Sequence, residues 1–181
     1  MRTAIVRPDR YTRGAVLFHW AIALLVIVNL AIGLLHESLL DGVKAAIPLH
    51  KSIGLTVLVF TIGRIGWRLA HRPPPLPVAM PEWERLTARA THAGFYGLMV
   101  ALPLTGWAMV SKAPLLWFGL AEVPLLPVSK SLGRTAHEAH GLLGYVMVAL
   151  VLLHVGAALR HHYIKRDATL SRMIPTLAPR G

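Results

Sequence analysis

The sequence predicts an all-α integral membrane protein, a four-helix bundle with both termini on the cytoplasmic side. Three observations carry this. Four apolar blocks recur along the 181 residues, at positions 15–35, 54–69, 93–110 and 141–159. Each approaches the roughly 17–25 residues that a bilayer-spanning helix requires, the second once residues 49–53 are added. Next, 55% of the residues are hydrophobic and 15% charged, against about 25% charged in an average soluble domain. Finally, the cations are sorted. Fourteen of the nineteen Lys and Arg residues lie before the first block, from the closing turns of the second block (Arg64 and Arg68) to the start of the third, or after the fourth. The positive-inside rule then assigns both termini to the cytoplasm. The net charge of +11 reads as topology and not as a nucleic-acid footprint.

The elements follow in order, as one domain over residues 1–181. Residues 1–11 are polar and precede a helix expected over 13–35. Its apolar run is too long for a signal-peptide core, and no small-residue cleavage site follows, so the segment is expected to stay in the mature chain. Pro48 suits a helical first turn and opens the second helix, expected over 48–71. Pro73, Pro74 and Pro75 forbid its continuation and give a stiff extended link. Glu82 and Glu84 behind Pro81 mark a new helix start. The third helix is expected over 84–110, with a kink at Pro103. Residues 111–134 form the longest outer connection. Its prolines and its Leu115, Leu116, Trp117 and Phe118 suit an interfacial segment, with Trp117 at headgroup depth. The fourth helix is expected over 136–164.

There is no cysteine. Disulfides, iron–sulfur clusters and covalently attached haem are thereby excluded. The chain does hold ten histidines. His71, His161 and His162 stand with arginines at cytoplasmic helix ends. The others lie in or beside the apolar blocks, where an ionisable residue is costly and usually functional. With alternating helices, His19, His92 and His154 share the inner depth, and His36, His50, His137 and His140 the outer one. On the fourth helix, His140 and His154 are about four turns apart, roughly 21 Å along the axis and only about 40° apart in phase. His137 is turned about 100° from the phase of His154. Small residues after each, Gly141 and Gly144, then Gly156, Ala157 and Ala158, leave room for a flat group or for close helix packing. Histidines at two depths are a layout for two stacked bis-histidine haems. A metal transporter is the competing reading, but it would add acidic, Cys or Met partners on the pathway, and none of the eight acids lies deep in a block.

Several motifs then carry a resemblance. They are Phe18-His19-Trp20, His50-Lys51-Ser52-Ile53-Gly54, Arg64 with Trp67-Arg68 before Pro73-Pro74-Pro75-Leu76-Pro77, and Ala101-Leu102-Pro103-Leu104-Thr105-Gly106-Trp107. To these add His154 with Ala157-Ala158, His161-His162 and Asp167, and the closing Arg172-Met173-Ile174-Pro175. In this order and spacing they resemble the bacterial cytochrome b561 family, over nearly the whole chain. The resemblance implies a multi-pass inner-membrane cytochrome with two non-covalent haem b groups. Its axial ligands would be His19 with His154 on the cytoplasmic side and His50 with His140 on the periplasmic side. His92 would not be a ligand. A ligand one turn away at His137 is the alternative to His140, and the spacing to His154 favours His140.

The resemblance also implies electron exchange with quinone. One type in the family oxidises superoxide at the periplasmic face and reduces ubiquinone. Related cytochrome b subunits accept electrons from a partner hydrogenase or formate dehydrogenase. Arginine suits haem propionates because its planar fork matches a carboxylate. Arg64, Arg68 and Arg160 are inner candidates, and Lys51 and Arg134 outer ones. Lys44, Lys51, Lys112 and Lys130 could draw a small anion to the outer face. His161 or His162 could hydrogen-bond a quinone carbonyl.

Overall fold

The computed structural model describes residues 10–76, 80–111, 113–174 and 176. Arg2, Arg7, Lys112 and Arg180 from the charge count, and Pro77 and Pro175 from the motifs, lie outside the described residues. Four long helices run up and down: α1 (Arg13–Leu35), α2 (Ala46–Ala70), α3 (Glu82–Val110) and α4 (Lys130–Arg160). All four are long and apolar enough to cross a membrane. The chain is a membrane helical bundle. One end, the terminal end, carries the start of α1, the α2–α3 link and the end of α4. The other, the loop end, carries the α1–α2 and α3–α4 connections.

Local chemistry sets the boundaries. Thr12 caps α1 by accepting from the Ala15 N–H at 3.2 Å. Helix α2 begins at Ala46, two residues before Pro48. Proline is still tolerated there, because the first-turn N–H groups have no intrahelical partner. Helix α3 begins at Glu82, directly behind Pro81, and runs unbroken through Pro103. The largest difference from expectation is in α4, which begins at Lys130 and not near residue 136. The cause is Ser129, whose hydroxyl accepts the Leu132 N–H at 3.2 Å and starts the helix on the polar side of the apolar block. At the other end α4 widens into a π-turn over His161–Lys165, closed by Arg166 in the left-handed conformation at φ 53°.

The α3–α4 connection is a second difference. It holds a two-stranded antiparallel hairpin, β1 (Leu115–Trp117) with β2 (Ala121–Val123). The reversal places Phe118 and Gly119 at positive φ. The hairpin lies across the start of α2. Phe118 N–H donates to the Ser52 hydroxyl at 2.9 Å, and the Trp117 indole donates to Thr56 at 3.1 Å.

The bundle interior is small. Ile22, Ile53, Val57, Leu98, Met99 and Met147 form the buried core. Leu17, Leu24, Val59, Ile62, Leu142 and Leu152 are exposed on the outer faces. This apolar exterior is what lipid contact requires, and a helix pairs its interior backbone polar groups within itself. Helices α1 with α2, α2 with α3, and α3 with α4 pack closely, while α1 and α4 barely touch. The rings of His19 and His154 meet between those two, and the rings of His50 and His140 meet between α2 and α4.

Candidate haem site

The structure brings the histidines together in two pairs at the two ends of the bundle. At the loop end, the rings of His50 on α2 and His140 on α4 have centroids 6.0 Å apart and planes at 85°. At the terminal end, His19 on α1 and His154 on α4 have centroids 6.2 Å apart and planes at 69°. Imidazole nitrogens bound on opposite sides of one metal ion, at about 2.0–2.1 Å each, put the two ring centres roughly 6 Å apart. Both pairs have the spacing that would clasp a single iron between two imidazoles. Among the described residues, no group of three or more His, Asp, Glu or Cys converges as a metal site. A planar tetrapyrrole supplies the other ligands itself, so a two-histidine site suits it.

The loop-end pair is held on its far side. His50 Nδ1 lies 3.0 Å from the Asn29 carbonyl. His140 Nδ1 lies 3.0 Å from the Leu102 carbonyl and 3.2 Å from the Thr105 hydroxyl. A carbonyl only accepts, so the proton of each neutral ring sits on Nδ1 and Nε2 keeps its lone pair. This is the tautomer and orientation of a metal-ligating histidine. Glycines face both rings. A Cβ on Gly33 would lie 2.8 Å from His50 Cε1, and one on Gly106 3.1 Å from His140 Cε1.

A cavity of about 400 Å³ opens around this pair, within the ~300–1,000 Å³ usual for small-molecule and cofactor sites. Leu30, Val57, Leu98 and Met147 line it below the rings, and Gly54, Gly141 and Gly144 widen it. Its polar groups include His36, Glu37, Lys51 and His137. His137 is thus at the cavity wall, while the ring opposite His50 is that of His140. Asn29 reaches the same cavity, and its Oδ1 is buried with no hydrogen-bond partner. A space lined by apolar side chains and glycines, with two ring nitrogens directed across it, fits a haem.

The terminal-end pair is built differently. Arg64 Nη1 lies 3.3 Å from His19 Nδ1, and its Nε donates to the Tyr96 hydroxyl at 3.2 Å. Arg64 and Arg68 both lie over the Tyr96 ring, 5.9 and 6.0 Å from its centre. His154 is flanked by Phe95 at 5.3 Å and by His92 at 5.7 Å. Depth alone could place His92 here. Its contact with His154 depends on how α3 is turned, which the sequence does not reveal.

The remaining candidates divide. Arg160 pairs with the buried Glu84 at 3.0 Å, and Lys165 pairs with the other oxygen of that carboxylate. His161 is buried, with Nδ1 2.5 Å from Asp167 and 3.4 Å from the Thr169 hydroxyl. His162 packs its ring edge-on against Tyr163 at 4.7 Å. Arg134, on the first turns of α4, is exposed. Asp167 lies beyond the spanning segment. Burial raises its pKa, but hydrogen bonds from Thr169 and His161 outweigh this and hold the carboxyl below its ordinary value.

Comparison with known proteins agrees with this architecture. A family model described as prokaryotic cytochrome b561 matches residues 10–176. The chain is 37% identical over 175 residues to "Cytochrome b561 homolog 2" of Escherichia coli (strain K12), covering 92% of each chain. It is 31% identical over 166 residues to "Probable superoxide oxidase CybB" of Yersinia pestis, covering 87% of this chain and 91% of the relative. It is also 31% identical over 173 residues to "Cytochrome b562" of Cereibacter sphaeroides, covering 91% and 94%. The match spans all four helices, and the chain therefore belongs to the prokaryotic cytochrome b561 family, multi-pass bacterial membrane proteins in which membership implies haem b.

Proposed function

We propose that the protein is a di-haem electron carrier of the inner membrane, in which His19 and His154 would hold one haem iron at the terminal end and His50 and His140 would hold the other at the loop end. The observation that carries this is the pair of ring separations near 6 Å at two depths of one bundle. When bound, each haem supplies a one-electron couple between ferric and ferrous iron. The protein residues orient it. Backbone carbonyls of Asn29 and Leu102 direct the loop-end imidazoles, and the glycines opposite them leave room for a flat ring. Arg64 and Arg68, gathered on Tyr96, are the propionate partners at the terminal end, and Lys51 is the partner or anion guide at the loop end. Arg134 is a further outer candidate. Arg160 is engaged by Glu84, so its propionate role would require exchange of that partner.

The cation distribution supports a terminal end in the cytoplasm and a loop end in the periplasm. The reaction we propose oxidises superoxide at the loop end and reduces ubiquinone. Two superoxide anions each give up one electron and become dioxygen, and one quinone takes those electrons with two protons to become quinol. A relative named as a probable superoxide oxidase supports this reading. So does Lys51 in the loop-end cavity, a cation where a small anion would enter. Because the His161 ring is held by Asp167, His162 is the histidine we assign to quinone contact.

Haem per chain, followed by superoxide-driven quinone reduction, tests the reading with purified protein in detergent. Two haems and reduction without any other protein are expected. Two haems with reduction only when a dehydrogenase or hydrogenase partner is added would replace superoxide by that partner as donor. A colourless protein after haem supplementation would return it to the transporter reading.

A further inference from the structure

The two histidine pairs differ in what their outer nitrogens meet. At the loop end, His50 and His140 both face a backbone carbonyl, and His140 also faces the Thr105 hydroxyl. Thr105 spends its own hydrogen on the Ala101 or Leu102 carbonyl, at 2.8 and 2.9 Å, so its oxygen is available to accept from the ring. At the terminal end, His19 meets a guanidinium, which has no acceptor to offer. Among the described residues, no acceptor faces His154.

We infer that Arg64 and Thr105 set unequal reduction potentials, with the terminal-end pair the higher. This rests on the four-ligand reading above and adds to it what the surrounding residues do. An imidazole that donates to a carbonyl is a more basic ligand and favours the more highly charged ferric state. A cation within a few ångströms, in a low-dielectric bundle, favours the less positive ferrous state. Both effects point the same way. The loop end is held toward ferric iron and the terminal end toward ferrous iron.

The surrounding charges keep this asymmetry. Glu84, the buried acid of the terminal end, already faces Arg160 and Lys165, and Asp167 faces His161. Arg64 has no carboxylate within salt-bridge range among the described residues. At the loop end Lys51 and Glu37 both line the cavity, so a cation and an anion share that site. A haem propionate on Arg64 would weaken its field without reversing it. Once His19 is metal-bound, its Nδ1 carries a proton and no longer accepts from Arg64. The arginine, held by Tyr96, then acts through charge alone. A half-reduced protein holds its electron at the terminal end. With that end in the cytoplasm, the ordering favours inward electron movement.

The test is a spectroelectrochemical titration of the haem-loaded protein in detergent. His154→Ala identifies the terminal-end component by its disappearance, and that component is expected to be the higher of the two. Arg64→Gln should shift it downward and leave the other unmoved, while Arg64→Lys, which keeps the charge, should stay near wild type. Thr105→Val should shift the lower component upward. Loss of the lower component in His154→Ala overturns the inference. So do unmoved potentials in both Arg64→Gln and Thr105→Val with two haems bound. Should Arg64→Gln bind no haem at the terminal end, the Thr105→Val shift decides alone. Fewer than two haems in the wild-type protein overturns the four-ligand reading itself, and the haem assay shows this before any titration.

Discussion

Gly33 on α1 faces the imidazole of His50 on α2 so closely that a methyl group in place of its hydrogen would stand 2.8 Å from the ring. The ring cannot simply swing away, because its Nδ1 is tied to the carbonyl of Asn29, one turn before Gly33 on α1. Gly33→Ala should therefore displace the His50 ring and lower haem occupancy at the loop end only. Gly106→Ala, at 3.1 Å from His140, should do so more mildly. Haem per chain and the reduced-minus-oxidised spectrum would show this. Unchanged loading in Gly33→Ala would mean that His50 does not need its present position.

The ligand assignment makes a cleaner demand. His140→Ala and His154→Ala should each remove one haem of two. His137→Ala and His92→Ala should keep both, although His92 lies 5.7 Å from His154. Full loading in His140→Ala would sink the loop-end pair as drawn.

Ser52 ties the hairpin of the α3–α4 connection to α2. It is almost fully buried, and it accepts from Phe118 N–H while donating to the Pro48 carbonyl. Ser52→Ala leaves the Phe118 N–H without its partner, at a cost of roughly 1–3 kcal/mol if the site stays dry. Hydrogen exchange should then quicken across residues 115–123 while the helices keep their protection. Equal exchange in the two proteins would show that the hairpin is held by its apolar contacts alone.

Acid should loosen the terminal end. The Asp167 carboxyl is held below its ordinary value of 3.8 by hydrogen bonds that exceed the effect of burial. A depressed carboxylate contributes stability that is complete above its unfolded value and is lost as pH falls through the folded one. The contribution should be intact at neutral pH and disappear only below about 3.8. Asp167→Asn should remove that acid limb and make the segment after residue 165 more susceptible to protease at pH 7. An acid limb that persists in the variant would assign it to another carboxylate.

Anion guidance gives a salt-dependent prediction. Lys51→Glu should slow superoxide-driven quinone reduction, and added salt should narrow the gap from wild type as screening increases. The rate is compared per bound haem, so that a lost propionate contact at Lys51 is not read as slower guidance. A rate independent of both charge and salt would remove Lys51 from the path of the anion.

Much of this architecture is legible in the sequence. Hydropathy marked four spans, because a lipid-facing helix must be apolar along its whole length. Spacing along α4 separated His140 from His137, because helical phase is a local property of one segment. Local signals also marked Pro48 and Pro81 as helix starts. The start of α4 was missed because Ser129 caps it outside the apolar block, where hydropathy carries no information.

What only the tertiary structure decided is rotation and pairing. A helix that is apolar on every side carries little information about which face turns inward, so packing sets that angle. Packing put His92 beside His154, Arg64 against His19 and Thr105 under His140. It also matched Glu84 with Arg160, partners 76 residues apart in the chain. The sequence by itself determined how deep each histidine lies, because depth follows from counting residues along a helix. Which groups surround each ring depends on contacts between helices, and those exist only once the bundle has closed.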